Sequence, residues 1–446
     1  AHAKIPNSTQ KDVDLAVEAA KNAFPKWSKT PRVKRAQMLY KIADALELRL
    51  KEFASAEVQD QGKTITFATN VDITRSVYNF RFFAGYILHE EEKANVMEGK
   101  CFNYVQKEPA GVAALITPTS LHFNMENCTV YCSELASVTA NMFCSVLKEA
   151  KLPDGVINII FGYGATTGHQ LISHPDVPLV SFTGGTETGK KVNIAAAPFF
   201  KKVSLELGGK NANILFEDCD FEKAVETSIL SSFSNQGEIC LCGSRIFVHS
   251  SIYDNFLESF VHKAENLIVG NPNDPNTQIG ALNSKQHMEK VLGYIELAKS
   301  EGGVIKCGGK RKEMTGDYSE GYFVEPTVIT NRVAHEEIFG PVVTVHPFES
   351  EDEVIKYAND SQHGLSCSIW TQNGSRQRRV AESIHVGTCW VNCWLIRDLA
   401  MPFGGMKKSG NIIETPKTTS DENSNSSESE YESEIKLEGS TSGISL

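Results

Sequence analysis

The 446-residue chain has no apolar run approaching the ~18 residues that a membrane span requires, which excludes a helical integral membrane protein. Its opening, AHAKIPNSTQ, lacks the apolar core and small-residue cleavage pattern of a secretory signal, so a cytoplasmic location is expected. CxxC pairs are missing as well. The 11 cysteines are odd in number and irregularly spread, so reduced thiols are expected, with no disulfide framework and no metal knuckle. Nor is there a basic excess: 44 Lys and Arg stand against 55 Asp and Glu, a net charge of -11. Residues 411–446, with eight acids and two lysines, hold -6 of that charge. Nucleic-acid binding rests on a clustered basic face, so nucleic acid is not an expected partner. From Thr415 onward the chain is also poor in apolar residues and rich in Ser, Thr and Glu, and residues 411–446 are expected to form a disordered acidic tail.

What is present points to an α/β protein. VDLAVEAAKNAF (13–24) places Val13, Ala16, Val17, Ala20 and Phe24 on one helical stripe, and a second helix is expected from TPRVKRAQMLY, with Thr30 as cap and Pro31 at the first helical position. Short β-prone runs then alternate with helical stretches: GVAALIT, VINIIFG, PLVSFTG, KVSLEL and NILFED, followed by RIFVHS, VVTVHPF, CSIWT and TCWVN. Such alternation predicts parallel strands with crossover helices, enough for two α/β domains.

Chemistry is concentrated in a few loops. SSFSNQGEICLCGSR (231–245) sets Cys240 and Cys242 one residue apart beside glycine and amides. KVSLELGGKN places Glu206 at a strand end before Gly208 and Gly209, which permit a tight turn. A thiol nucleophile and a carboxylate able to activate water are the minimum equipment for making and hydrolysing a thioester. SFTGGTETGKK follows a strand and leads into a helix, and its Gly184, Gly185 and Gly189 could offer backbone N–H groups to a pyrophosphate. FGYGATTG is one residue off the GxGxxG dinucleotide fingerprint and reads equally as a plain loop. In HEEIFGPV, Glu337 could accept from ribose hydroxyls with Phe339 beside it to pack a flat ring, though the stretch also reads as an ordinary loop before a strand.

Together LELGGK, FxNQGxxC, EIFGPV and PFGGMKxSG, in this order and spacing, resemble the aldehyde dehydrogenase superfamily over about residues 5–410. The resemblance implies a Rossmann-like cofactor domain plus an α/β catalytic domain. It assigns residues 1–96 and 110–205 to NAD binding, 97–109 to an oligomerisation hairpin and 206–410 to catalysis. It implies that Cys240 is the nucleophile and Glu206 the general base, and that Gly184, Gly185, Gly189, Glu134, Glu337 and Phe339 contact NAD. Cys242 reads as a neighbour. An electropositive loop on the cofactor side is expected to activate Cys240. Several stretches most resemble members that oxidise acidic semialdehydes formed in tryptophan breakdown, with Arg75 and Arg397 in the aldehyde pocket. A guanidinium grips a carboxylate with paired hydrogen bonds, which suits a carboxylate-bearing substrate.

The chain also departs from the family pattern. After ALITP the family continues with Trp and Asn, where Pro118 is here followed by Thr119 and Ser120; the stretch from Ile116 to Ser133 is about a dozen residues short; and Tyr131 replaces a ribose-contacting lysine. The expected consequences are a weakened oxyanion hole and a weaker hold on NAD. Only EIK (434–436) hints at the family's last oligomer-building strand, so a homo-oligomer is expected to be weakened. The leading expectation is NAD-dependent oxidation of an aldehyde to the acid. The rivals are a non-catalytic homologue with a binding or structural role and, disfavoured by the presence of Glu206, an acylator of coenzyme A.

Overall fold

The computed structural model describes residues 5–117, 128–133, 137–331, 335–411 and 413–414. Two parallel-stranded sheets organise it, and the apolar runs of the sequence supply their strands. The first is five-stranded and wholly parallel, in the order Ile157–Gly162, Cys128–Ser133, Ala113–Thr117, Leu179–Thr183, Lys202–Glu206. Its central strand Ala113–Thr117 is buried along its whole length, as expected of a parallel strand covered on both faces. Alternate side chains divide between two cores. Ala113 and Leu115 pack with Ile42, Leu46, Phe53 and Phe143 on one face, while Ala114 and Ile116 pack with Val13, Val17, Ala20 and Val180 on the other.

The helix Gln10–Trp27 supplies much of that second face. Val13, Ala16, Val17 and Ala20 are buried as the helical period predicts, Phe24 is half-buried, and Trp27 is buried. The next helix, Arg32–Leu48, has Pro31 at its N-cap, one position earlier than expected. Thr30 does not cap it: its hydroxyl donates to the Lys26 carbonyl (3.1 Å) and closes the preceding helix instead.

The second sheet has seven strands, in the order Val304–Cys307, Thr327–Thr330, Val342–Phe348, Arg245–His249, Ala212–Leu215, Ser366–Trp370, Thr388–Val391. All neighbours are parallel except the first pair. Here too the faces alternate: Ile246 and Val248 join Phe256 and Phe260, and Phe247 joins Phe216, Phe348 and Ile369. The chain passes from one sheet to the other over only residues 207–211, between Lys202–Glu206 and Ala212–Leu215.

Ala94–Met97 pairs antiparallel with Cys101–Tyr104, so the hairpin starts three residues before the boundary read at 97, and all eight residues are exposed. Ile413–Glu414 pairs with Phe403–Gly404, carrying ordered pairing into the segment read as tail. Apart from Asn411, the remaining tail residues, the EIK stretch among them, lie outside the described residues. So do Thr119, Ser120 and Glu134. Tyr131 falls in the strand Cys128–Ser133, in register with Ile116 and Ile160. That strand is reached from its parallel neighbour over residues 118–127 alone, fewer than the dozen or so residues such a crossover usually takes. Among the described residues no helix is long and apolar enough to cross a membrane.

Candidate active site

The strand Lys202–Glu206 delivers Glu206 to its C-terminal edge, in register with Thr183. Immediately beyond, the two glycines are required by close approach. A Cβ on Gly208 would stand 2.0 Å from Glu337 Oε2, and one on Gly209 would stand 2.6 Å from the Cys240 carbonyl oxygen. The Gly209 N–H donates to Glu337 Oε1 (3.0 Å). Thus one turn draws together the carboxylate Glu337 and the cysteine loop. The far end of the chain seals this turn: Leu207 N–H donates to the Ser409 carbonyl (2.8 Å), the Ser409 hydroxyl donates to Gly208 O (2.7 Å), and Gly410 bridges to Glu206.

Cys240 is approached from the helix Phe221–Phe233 through Asn235, Gln236 and Gly237, three successive residues in the left-handed region (φ 49°, 55° and 74°). For two non-glycine residues this backbone is strained and persists only where its surroundings fix it. Just beyond this stretch, Asn211 holds the cysteine loop. Its amide donates to the carbonyls of Cys240 (2.8 Å) and Cys242 (2.9 Å), and its oxygen accepts from the Ser366 N–H (3.0 Å). Sequence reading passed over Asn211, although it directly follows LELGGK. Gln236, also passed over, is buried and accepts from the Gly280 N–H (3.3 Å).

The electrostatics of Cys240 run against one expectation, that of an activated thiol. Burial first, then the Glu337 carboxylate, then that of Glu206, push the half-buried Cys240 thiol up to about 12, with Arg397 pulling the other way. Burial and two carboxylates together outweigh Arg397, so the cofactor-free thiol keeps its proton at neutral pH. Cys242 is buried and raised still further. With its carbonyl held by Asn211, it braces the loop as the neighbour it was read to be. Glu337 is itself raised by burial, opposed by the Gly209 N–H and by Lys290 and Lys210.

Arg397 reaches the nucleophile's field while its guanidinium lies 3.7 Å from the centre of the Phe403 ring. Arg75 sits on the helix Thr74–Tyr86, where its Nε donates to Asn79 (3.2 Å) and its guanidinium lies over Tyr78 (5.9 Å). Both contacts lie on Arg75's own helix.

The cofactor expectations fare unequally. Gly185 is the N-cap of the helix Thr186–Ala196, and among the described residues nothing stands within 4 Å of where its Cβ would be. An anion can therefore approach that helix end closely, where the dipole favours it. Gly184 already donates its N–H to the Glu206 carbonyl (3.0 Å). Gly189 departs from the expectation of an offered N–H: it bonds to Gly185 O (2.9 Å) inside the helix, and its missing Cβ admits Leu207, which would lie at 2.4 Å. Phe339 is about one-third exposed at φ +60°, its carbonyl held by Nε2 of His287 (2.6 Å). An open helix N-terminus for a pyrophosphate and a carboxylate for ribose hydroxyls fit NAD.

The sequence model of the aldehyde dehydrogenase family matches residues 1–426. The 2-aminomuconic semialdehyde dehydrogenase of Danio rerio is 48% identical over 92% of this chain and 88% of its own length. Its Homo sapiens counterpart is 46% identical over the same shares. The aldehyde dehydrogenase of Bacillus cereus, solved as its NAD+ complex, superposes with a TM-score of 0.88 at 36% identity, over 94% of this chain and 88% of that one.

Proposed function

Because the chain belongs to the aldehyde dehydrogenase family and is an NAD-dependent enzyme of aldehyde oxidation, we propose that its substrate is a semialdehyde bearing carboxylate, of the kind named by its 2-aminomuconic semialdehyde dehydrogenase relatives, and that Cys240 and Glu206 carry the reaction. The observation that carries the assignment is the convergence on Cys240 of Glu206, Glu337 and Arg397 from three separate stretches of the chain, with Gly209 joining the Glu337 carboxylate to the cysteine loop.

Cys240 Sγ attacks the aldehyde carbon. Its proton must leave as the bond forms, and two carboxylates lie close enough to dominate its field, so a base is at hand. NAD, when bound, would supply the hydride acceptor for this oxidation, and loss of hydride from the adduct carbon leaves an acyl group on Cys240 as a thioester. Glu206, at the strand end beside the thiol, takes a proton from water as that water attacks the thioester, and the acid departs with Cys240 restored. Gly185 and the N-terminus of its helix would hold the pyrophosphate, with Glu337 and Phe339 on the other side of the cofactor; Gly184 and Gly189 shape that surface, and Glu134 would join it at a ribose. Arg397 and Arg75 would grip the substrate carboxylates. In domain terms, residues 1–96 and 110–205 would bind the cofactor, the hairpin read at 97–109 would serve oligomerisation, and 206–410 would house catalysis. A homo-oligomer and a cytoplasmic setting suit this role.

The test measures NADH formation with 2-aminomuconic semialdehyde and with a plain aliphatic aldehyde. Arg75→Ala and Arg397→Ala should each impair the acidic substrate far more than the aliphatic one. Equal losses on both would reduce the arginines to structural roles, and absence of NADH with any aldehyde would favour a non-catalytic homologue.

A further inference from the structure

Beneath the site lies a second carboxyl that the reaction does not use. Glu238, two residues before Cys240, has a side chain only 9% exposed. Its Oε2 accepts from the Gln236 amide (3.2 Å), and its Oε1 lies 3.4 Å from His287 Nε2. The same Nε2 is 2.6 Å from the Phe339 carbonyl oxygen, which can only accept, so this nitrogen carries the hydrogen. His287 comes from a separate element, the helix Lys285–Ser300. The two loops it joins are already in contact, since a Cβ on Gly237 would fall 2.2 Å from Gly340 O.

We propose that Glu238 and His287 are a positioning pair, in which one imidazole N–H is shared between the Phe339 carbonyl and the Glu238 carboxyl, so that the loop bearing the nucleophile sets the place of the loop on the cofactor side. The proposal rests on reading residues 337–339 as that cofactor side. Burial raises Glu238 to about 8, opposed by the Gln236 amide, by Lys63 and by the Asn283 N–H. Lys63 is in turn paired with Asp72 (2.7 Å) and Glu57 (3.3 Å). Burial lowers His287, with the Phe339 carbonyl opposing and Lys290 adding to the fall, so the imidazole is neutral throughout this range. Below about pH 8 the Glu238 carboxyl is neutral and the N–H belongs to Phe339. Above it the carboxylate competes for the same hydrogen, and the hold on Phe339 loosens.

Two measurements on the full chain test this: NAD affinity by isothermal titration calorimetry, and hydrogen exchange of the 335–341 peptide in the cofactor-free protein. His287→Leu removes the donor at similar volume; it should weaken NAD binding about tenfold, the worth of one hydrogen bond, and speed exchange of that peptide. His287→Gln keeps an N–H donor and should restore most of both. In the wild type the peptide should exchange progressively faster, beyond the intrinsic rise, as pH passes about 8, and in Glu238→Gln this extra rise should vanish. Unchanged exchange in His287→Leu, or His287→Gln as damaged as His287→Leu, would overturn the pair. If either variant fails to fold, the Glu238→Gln exchange profile decides alone, and one that parallels the wild type overturns the pair. Glu337→Gln separates the two readings. Weaker NAD binding there with no effect of His287→Leu sinks the pair and keeps the cofactor side; faster exchange in His287→Leu with NAD binding unmoved in both variants keeps the pair and sinks the cofactor reading.

Discussion

The loop around Cys240 and the helix end at Gly185 solve opposite problems. At Cys240 the carbonyls of residues 240 and 242 have an assigned donor, Gly237, next to the strained Asn235 and Gln236, is wedged against Gly340, and Gly209 leaves no room for one further carbon. At Gly185 none of the described residues fills the space. A nucleophile gains from being held within a fraction of an ångström of its productive place, whereas a cofactor that enters and leaves needs an accessible end of a helix. One region is defined by what surrounds it, and the other by what is kept away.

Perturbing the two regions should therefore give different kinds of damage. The largest effect falls on the braced side: Cys240→Ala should abolish NADH formation, a fall of at least about 10⁴-fold in turnover, while Cys242→Ala, measured in the same assay, should retain most of it. Next comes the oxyanion donor. If Ser120 stands in place of the family's oxyanion asparagine, as the resemblance implies, the absent donor is worth roughly 10² to 10³ in turnover, or about 2.7 to 4 kcal/mol. Inserting the absent residues together with Ser120→Asn and Tyr131→Lys should recover turnover on that scale; no gain would point to a non-catalytic role. Smaller is the contrast between two glycines of one helix. Gly189→Ala drives a methyl into Leu207 and should lower stability by about 1 to 3 kcal/mol in a denaturant titration. Gly185→Ala meets open space and should leave stability nearly unchanged while weakening NAD in calorimetry. A loss of stability at 185 equal to that at 189 would erase the comparison.

The smallest expected change concerns the thiol itself. Since the carboxylate of Glu337 is a leading reason that Cys240 stands near 12, carboxamidomethylation of Cys240 in the cofactor-free wild type should be slow at pH 7 and climb steadily to pH 10 without levelling. Glu337→Gln removes a negative neighbour, which lowers the thiol's pKa and should speed labelling at pH 7 several-fold. Labelling that levels off near pH 8 in the wild type would contradict a thiol raised by burial and by its carboxylate neighbours.

Much of this was legible in the residues. Buried parallel strands are continuous apolar runs, so KVSLEL, GVAALIT, RIFVHS and VVTVHPF announced themselves. Val304–Cys307 and Thr327–Thr330 escaped because VIKC carries a lysine and TVIT has only two apolar residues between threonines, so neither reads as a continuous apolar run. CTVYCS escaped because the break in family pattern around it drew attention to what was missing, while its β-branched centre is an ordinary strand. The motifs singled out Cys240, Glu206 and Glu337, but not the sign of the field at Cys240, which depends on a carboxylate nearly a hundred residues further along. His287 left no local signal either: its contact with Phe339 spans 52 residues.

The seal made by Ser409 and Gly410 on the turn beyond Glu206 has a consequence in time. Contacts of Ser409 with Gly208, 201 residues earlier, and of Asn411 with Leu205, 206 residues earlier, join points that leave the ribosome far apart. The first sheet, complete by Glu206, can assemble while the rest of the chain is still being made, but the turn holding the base stays unsealed until Ser409 emerges. The emerging protein therefore acquires its first sheet early and the closed turn beyond Glu206 last, so a chain stalled before residue 409 carries both Glu206 and Cys240 and still lacks the contact that closes that turn.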